Sequence, residues 1–181
     1  MKHLSMVVFA LVVAGCATGK MGRIEKPLDA NAITKTTPIY VETVSSKDLM
    51  ISGDKSGDAK KVAEIKAAIE HDYAAKIVEH LKEKGFNAQL STTPSKSGVT
   101  ITGFVTKVEN GSAAARYFVG MGAGSANMFA DFMIVDKTKN TTLSKFQIIA
   151  TSGGESGLGS YLTRFLNDGG KKVAEYIEKG K

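Results

Sequence analysis

Between Val62 and Leu81 the side chains of Val62, Ile65, Ile69, Tyr73, Ile77 and Leu81 return every three or four residues. That period puts them on one stripe of a long α-helix, which is stable only when the stripe is buried against another layer. Asp58 stands where an N-cap oxygen would satisfy the first free amides, and Gly85 where a left-handed residue would stop the helix. Strands supply the other layer. Pro38–Val44, Phe86–Ser91, Val99–Val108, Met128–Val135 and Leu143–Ala150 are β-branched or aromatic and in part alternate in polarity. Ser45–Gly57 reads as a polar loop, Asn110-Gly111 as a turn, and Asp136–Asn140 as the loop of a hairpin. A second helical pattern runs through Leu158, Tyr161, Leu162, Phe165, Leu166, Val173, Tyr176 and Ile177, with Gly169-Gly170 expected to bend or break it. The order β-α-β-β-β-β-α predicts an α+β fold, a mostly antiparallel sheet with two helices on one face.

A chain of 181 residues fits one domain, and 43% hydrophobic with 23% charged residues is an ordinary globular balance. The formal charge of +6 is spread. Acids alternate with bases, as in Glu79-His80-Leu81-Lys82-Glu83-Lys84, so the pattern is a solvated surface and not a nucleic-acid patch. A mildly cationic surface still suits anionic headgroups or cell-wall polymers.

The first residues have a different logic. Lys2 and His3 precede an apolar or small run from Leu4 to Ala14. At about 11 residues, roughly 16 Å as a helix, it is too short to cross a ~30 Å hydrocarbon core and suits a cleaved signal peptide. The run ends Val13-Ala14-Gly15-Cys16, which resembles the lipobox of bacterial lipoproteins. That resemblance implies that Cys16 receives a diacylglycerol on its thiol, that the chain is cut before it, and that the new amine is acylated. Two or more acyl chains hold a protein firmly on a membrane. Ala17, in place of an aspartate, implies by the same resemblance the periplasmic face of the outer membrane. Cys16 is the only cysteine, so the mature domain has no internal disulfide and depends on packing. Residues 1–15 are thus read as signal peptide, 16–36 as lipidated N-terminus and flexible tether, and 37–181 as a single periplasmic domain. About 20 flexible residues would reach roughly 25 Å.

Arg116-Tyr-Phe-Val-Gly-Met-Gly-Ala-Gly-Ser-Ala-Asn127 has no charge between Arg116 and the later Asp131. Its glycines are spaced G-x-G-x-G and match neither dinucleotide nor P-loop phosphate motifs. The other readings are Gly120-x-x-x-Gly124 helix packing, a membrane-inserting β-hairpin, and a glycine-permitted bulge or close contact leading into the next strand. The last explains the glycines sterically and is the leading one. The pattern Arg116-x-x-x-Gly120-x-Gly122-x-Gly124, followed by an apolar strand ending Val135-Asp136, resembles an uncharacterised family of Gram-negative lipoproteins, a domain of unknown function, over roughly Thr36 to Tyr176. That family carries a glycine in the turn after the aspartate; Asn140 here can adopt the same left-handed conformation. More loosely, the order of elements is similar to curli-secretion lipoproteins, penicillin-binding-protein activator lipoproteins and the N-terminal domain of TolB. These imply a non-enzymatic envelope factor working through protein contacts.

A search for chemistry finds no constellation. His71 and His80 lie nine residues apart and project to opposite sides of their helix. Gly154-Glu-Ser-Gly-Leu158 lacks the last glycine of a nucleophile elbow and a histidine downstream. Asp136–Asn140 lacks the glycine and terminal glutamate of a calcium loop. Glu42, Asp131 and Asp136 are candidate acids with no recognisable partner, and the Tyr and Phe positions read as core. The expectation is a non-enzymatic lipoprotein without cofactor or metal, binding no nucleic acid, anchored by its lipid and contacting an envelope protein or itself. The alternative is a subunit of an oligomeric outer-membrane pore or secretion assembly, with Tyr117–Met128 inserting.

Overall fold

The computed structural model describes residues 18–53, 56–93, 95, 97–111, 125–152 and 158–180. Cys16, the lipobox residues Val13, Ala14 and Gly15, and the glycine-rich Arg116, Gly120, Gly122 and Gly124 lie outside them, as does most of the nucleophile-elbow sequence. Among the described residues are strands β1 (Thr18–Lys26), β2 (Ile39–Glu42), β3 (Met50–Gly53), β4 (Ala88–Ser91), β5 (Val99–Asn110), β6 (Asn127–Asp136) and β7 (Thr141–Thr151). Helix α1 is Ala59–Glu83 and α2 is Leu158–Lys179. One sheet runs β1-β7-β6-β5-β2-β4, with β3 also paired to β5. The fold is α+β. Its sheet is mixed: β1, β7, β6 and β5 are antiparallel neighbours, whereas β2 runs parallel to both β5 and β4, and β3 parallel to β5.

Two segments read as loop or tether are corrected. The proposed flexible tether contains β1, which pairs with β7 from Thr18↔Thr151 to Lys26↔Lys145. Its sequence, rich in glycine and lysine, lacks a strand-like pattern because it is an edge strand whose backbone, not its side chains, makes the pairing. Gly19 also lets α2 lie close, since a Cβ there would sit 2.7 Å from the Asp168 carbonyl oxygen. The rest of the segment is packed too. Leu28 and Ile33 are buried, and the Tyr176 hydroxyl accepts from the Leu28 amide at 3.0 Å while standing 2.9 Å from Ser144 Oγ. The second correction concerns Ser45–Gly57. Ser45 bridges Phe104, and Met50–Gly53 pairs with Lys107–Asn110. The chain from Ile39 to Gly53 therefore tracks β5 with interruptions, taking up β5's backbone groups even where its side chains are polar.

Helix α1 is capped as its ends foretell. Asp58 Oδ1 accepts from the Lys60 and Lys61 amides at 3.0 and 3.2 Å. At the other end Gly85, at φ +80, allows the Phe86 amide to reach the Leu81 carbonyl and the Gly85 amide that of Lys82, a Schellman closure. Replacing Asp58 with alanine is expected to cost about 1 kcal/mol, lowering the melting temperature by about 2–4 °C, while Asp58→Ser keeps most of it. Equal melting of both variants and the parent would remove the cap from the account.

Ile65, Ile69, Tyr73, Ile77 and Leu81 are all buried, as their period predicts. Helix α2 is continuous through Gly169-Gly170. The glycines do not break it; they bring the helices together. A Cβ on Gly170 would lie 2.9 Å from the Lys76 carbonyl carbon, and one on Gly169 2.2 Å from Tyr73 Oη. With Gly169 beside Tyr73 and Glu178 paired to Lys84 at 2.5 Å, the two helices run in the same direction. Beneath them an aromatic series links α1 to α2 through the sheet. Tyr73 meets Phe132 edge-on at 5.7 Å, Phe132 stacks on Phe146 at 5.6 Å, and Phe146 lies 4.2 Å from Tyr176.

Candidate interaction surface

The helices cover one face of the sheet. On β5, β6 and β7 the residues of that face are matched across the register: Gly103 opposite Phe132, and Phe132 opposite Phe146. Gly103 has to be small, because a Cβ would fall 2.5 Å from the Phe132 ring. Strand alternation sends the neighbouring residues to the other face, which carries no helix among the described residues. Two rows cross it. Phe104, Asp131 and Gln147 form one, and Thr102, Met133 and Lys145 the next. Gln147 Nε2 donates to Asp131 Oδ1 at 3.0 Å, and Thr102 Oγ1 to Glu42 Oε2 at 3.1 Å.

Phe104 is the conspicuous member, 46% exposed. This departs from the reading of every Phe and Tyr as core. The signal was in the alternation, since Phe104 is out of phase with Ile101, Gly103 and Val105. The ring stands between two shallow depressions. One, of about 250 Å³, is bordered by Arg23, Glu25, Lys145 and Gln147; the other, of about 240 Å³, by Ser45, Lys47, Asp48 and Thr106, and Asp131 borders both. An apolar centre inside a rim of both charge signs is the usual anatomy of a protein-binding patch. Farther along, Lys107 lies over the Phe129 ring at 5.8 Å and pairs with Glu109 at 2.5 Å. That contact, with the Asn127 amide, holds the Glu109 carboxyl below its ordinary range despite partial burial.

The helical side offers a groove of about 400 Å³ between α1 and α2, floored by Ala68, Ala75, Leu162 and Leu166 and edged by Glu64, Asp72 and Glu79. Lys76 hydrogen-bonds Glu79 at 2.7 Å and keeps its carboxyl low.

The sequence candidates are dispersed. Asp136 Oδ1 accepts from the Thr138 and Lys139 amides at 2.9 and 3.1 Å, which builds the β6–β7 turn. Asn140 completes it at φ 49, the left-handed conformation expected of it from the sequence. Glu42, Asp131 and Asp136 thus each serve a different partner. His71 is exposed beside Asp72, whereas His80 is nearly buried between Glu83 at 2.7 Å and Asn167 of α2 at 3.1 Å. Among the described residues no three His, Cys, Asp or Glu side chains converge as metal ligands, and no helix is long and apolar enough to cross a membrane.

These features define a small α+β domain with a two-helix layer on one face of a mixed sheet and a charged, aromatic-centred surface on the other. The chain belongs to the family described as Domain of unknown function (DUF4410), whose model matches residues 39–155. No curated protein matches it. Among solved structures it is similar to the PelC dodecamer from Paraburkholderia phytofirmans, with a TM-score of 0.53 at 13% identity over 91% of this chain and 100% of that one. It is also similar to a Xanthomonas campestris protein of family DUF330, with a TM-score of 0.50 at 9% identity over 87% of this chain and 90% of the other. At these identities the likeness is one of fold.

Proposed function

We propose that this protein is an outer-membrane lipoprotein, held at the periplasmic face by lipid on Cys16, whose domain works without catalysis by binding another envelope protein through the helix-free sheet face. The observation that carries the binding surface is Phe104, 46% exposed between two depressions and ringed by Arg23, Glu25, Asp131 and Lys145. The anchor is supported by the Val13-Ala14-Gly15-Cys16 sequence behind its short apolar run.

A photoreactive phenylalanine analogue at position 104, expressed in the native cell, tests the surface. Irradiation should yield a discrete adduct, and the same analogue at exposed Ala67 of α1 should not. No adduct from position 104, or equal yields from both, would remove the surface. Metabolic labelling with a palmitate analogue tests the anchor separately: Cys16→Ser should lose all label and leave the membrane fraction, and undiminished labelling would end that part of the proposal.

A second reading, a subunit of an oligomeric outer-membrane pore or secretion assembly, draws support from the similarity to a protein whose solved form is a dodecamer. Under it the position-104 adduct is a second copy of this chain, and the detergent-extracted lipoprotein has the mass of a closed ring. A monomeric mass would set it aside.

A further inference from the structure

The strand register gathers one end of the molecule. Thr18, where β1 begins, is paired with Thr151 at the end of β7; Thr151 is paired with Asn127 at the start of β6, and Asn127 with Glu109. Gly53, the last residue of β3, is paired with Asn110. Helix α1 begins a few residues after Gly53. The opposite end carries the Asp136–Thr141 turn, the finish of β1 at Lys26 and the C-terminal ends of both helices. A nine-residue strand such as β1 spans about 30 Å, which sets the separation of the two ends.

Cys16 is two residues before Thr18. Two extended residues reach about 7 Å at most, whereas the 20-residue flexible connection the sequence suggested would reach roughly 25 Å. Because β1 is paired with β7 in unbroken register from Thr18 to Met21, little slack remains between the lipid-bearing residue and the folded body. A body fixed that closely at one point of its surface keeps that point, and what surrounds it, against the bilayer.

The chemistry of this end agrees. Lys20 and Lys60 are exposed there and suit anionic headgroups, while the two carboxylates described at this end are engaged, Asp58 by the Lys60 and Lys61 amides and Glu109 by Lys107. Gly111 and Ser125, which also lie there, bracket a stretch of sequence whose single charge is that of Arg116.

We infer that the domain stands end-on upon the membrane. The end defined by Thr18, Gly53, Asn110, Asn127 and Thr151 is apposed to the lipid headgroups, and the Asp136–Thr141 turn points away. The helix-free face with Phe104 is then held upright, open to a partner approaching alongside. This orientation rests on the Cys16 anchor, and its test separates the two.

The lipidated full-length protein, extracted from membranes, is reconstituted into vesicles of phosphatidylethanolamine and phosphatidylglycerol. It carries one fluorophore on an introduced cysteine, either at Lys20→Cys or Lys60→Cys, or at Lys139→Cys or Lys179→Cys. Lipid spin-labelled at the headgroup is the quencher. Probes at 20 and 60 should be quenched several-fold more than those at 139 and 179. Inserting about 20 Gly and Ser residues between Ala17 and Thr18 should remove most of the difference, since the reach then becomes roughly 25 Å. Vesicle flotation is read in parallel. Protein that fails to float has no anchor, and the orientation falls with it. Protein that floats with equal quenching at both ends, or stronger quenching at 139 and 179, keeps the anchor and overturns the orientation alone.

Discussion

Phe132→Ala should destabilise the domain by about 4 kcal/mol, within the 3–5 kcal/mol typical of a buried phenylalanine truncated to alanine. Phe132 is 3% exposed and lies between Tyr73 and Phe146, the contacts through which α1 and α2 share one core. Its cross-strand neighbour Gly103 has no side chain to move into the vacated space, and the Tyr73 ring is fixed under α2, so the cavity stays open. Phe104→Ala, one residue from Gly103 on the other face, should change stability by no more than about 0.5 kcal/mol. Urea unfolding of the two variants, compared through their midpoints at unchanged m, makes the measurement. A loss below about 1 kcal/mol for Phe132→Ala, or similar losses for both, would mean that the helices are not joined through this ring.

Gly169→Ala carries the second large effect, and its sign is the informative part. In an exposed helix this change stabilises by up to about 1 kcal/mol, because alanine is the better helix former. Here the new methyl meets Tyr73 Oη at 2.2 Å. The Tyr73 ring is fully buried and packed edge-on against Phe132, so the hydroxyl has no room to withdraw. A net loss of about 2 kcal/mol is expected from overpacking. Tyr73→Phe alone should be neutral or slightly stabilising, since the hydroxyl is buried with no hydrogen-bond partner among the described residues and removing it lifts a desolvation cost. Combined, the two changes should recover at least about 1 kcal/mol of the Gly169→Ala loss in a double-mutant cycle. Additive losses would show that α2 shifts away from α1 instead of pressing on the oxygen. Burial also pushes the Tyr73 hydroxyl well above the ordinary tyrosine range. It should therefore resist alkaline titration in the folded protein and ionise only as the chain unfolds.

The elements that announce themselves in the sequence are those whose side chains carry the pairing energy. The α1 stripe from Ile65 to Leu81, the Asp58 cap, the Gly85 stop and the alternation of β5 to β7 all fall where their spacing put them. β1 and β3 do not announce themselves, because each is joined through backbone amides and carbonyls that every sequence possesses. Gly169-Gly170 shows a different limit. Two glycines within a helical pattern lower its propensity, and only the neighbouring Tyr73 and Lys76 reveal that the missing side chains are what let the helices meet. For the candidate surface, Phe104 was visible as the out-of-phase residue of β5. Its companions Arg23 and Glu25 were not, since they belong to a strand that reads as a linker. The acids singled out from the sequence proved to have ordinary neighbours. Glu42 takes a threonine hydroxyl, Asp131 a glutamine amide, and Asp136 the amides of its own turn.

The outermost strand has a consequence for how the polypeptide reaches this form. β1 comes early in the chain, yet its partner β7 ends at Thr151. A chain delivered from its N-terminus must hold Thr18–Lys26 unzipped until almost every later element has emerged. Closing so long a loop is slow, because its entropic cost falls due before the distant contacts repay it. The seam that completes the sheet is accordingly the last to shut and, being bounded by one neighbour only, the first that a shortened C-terminal half would leave undone.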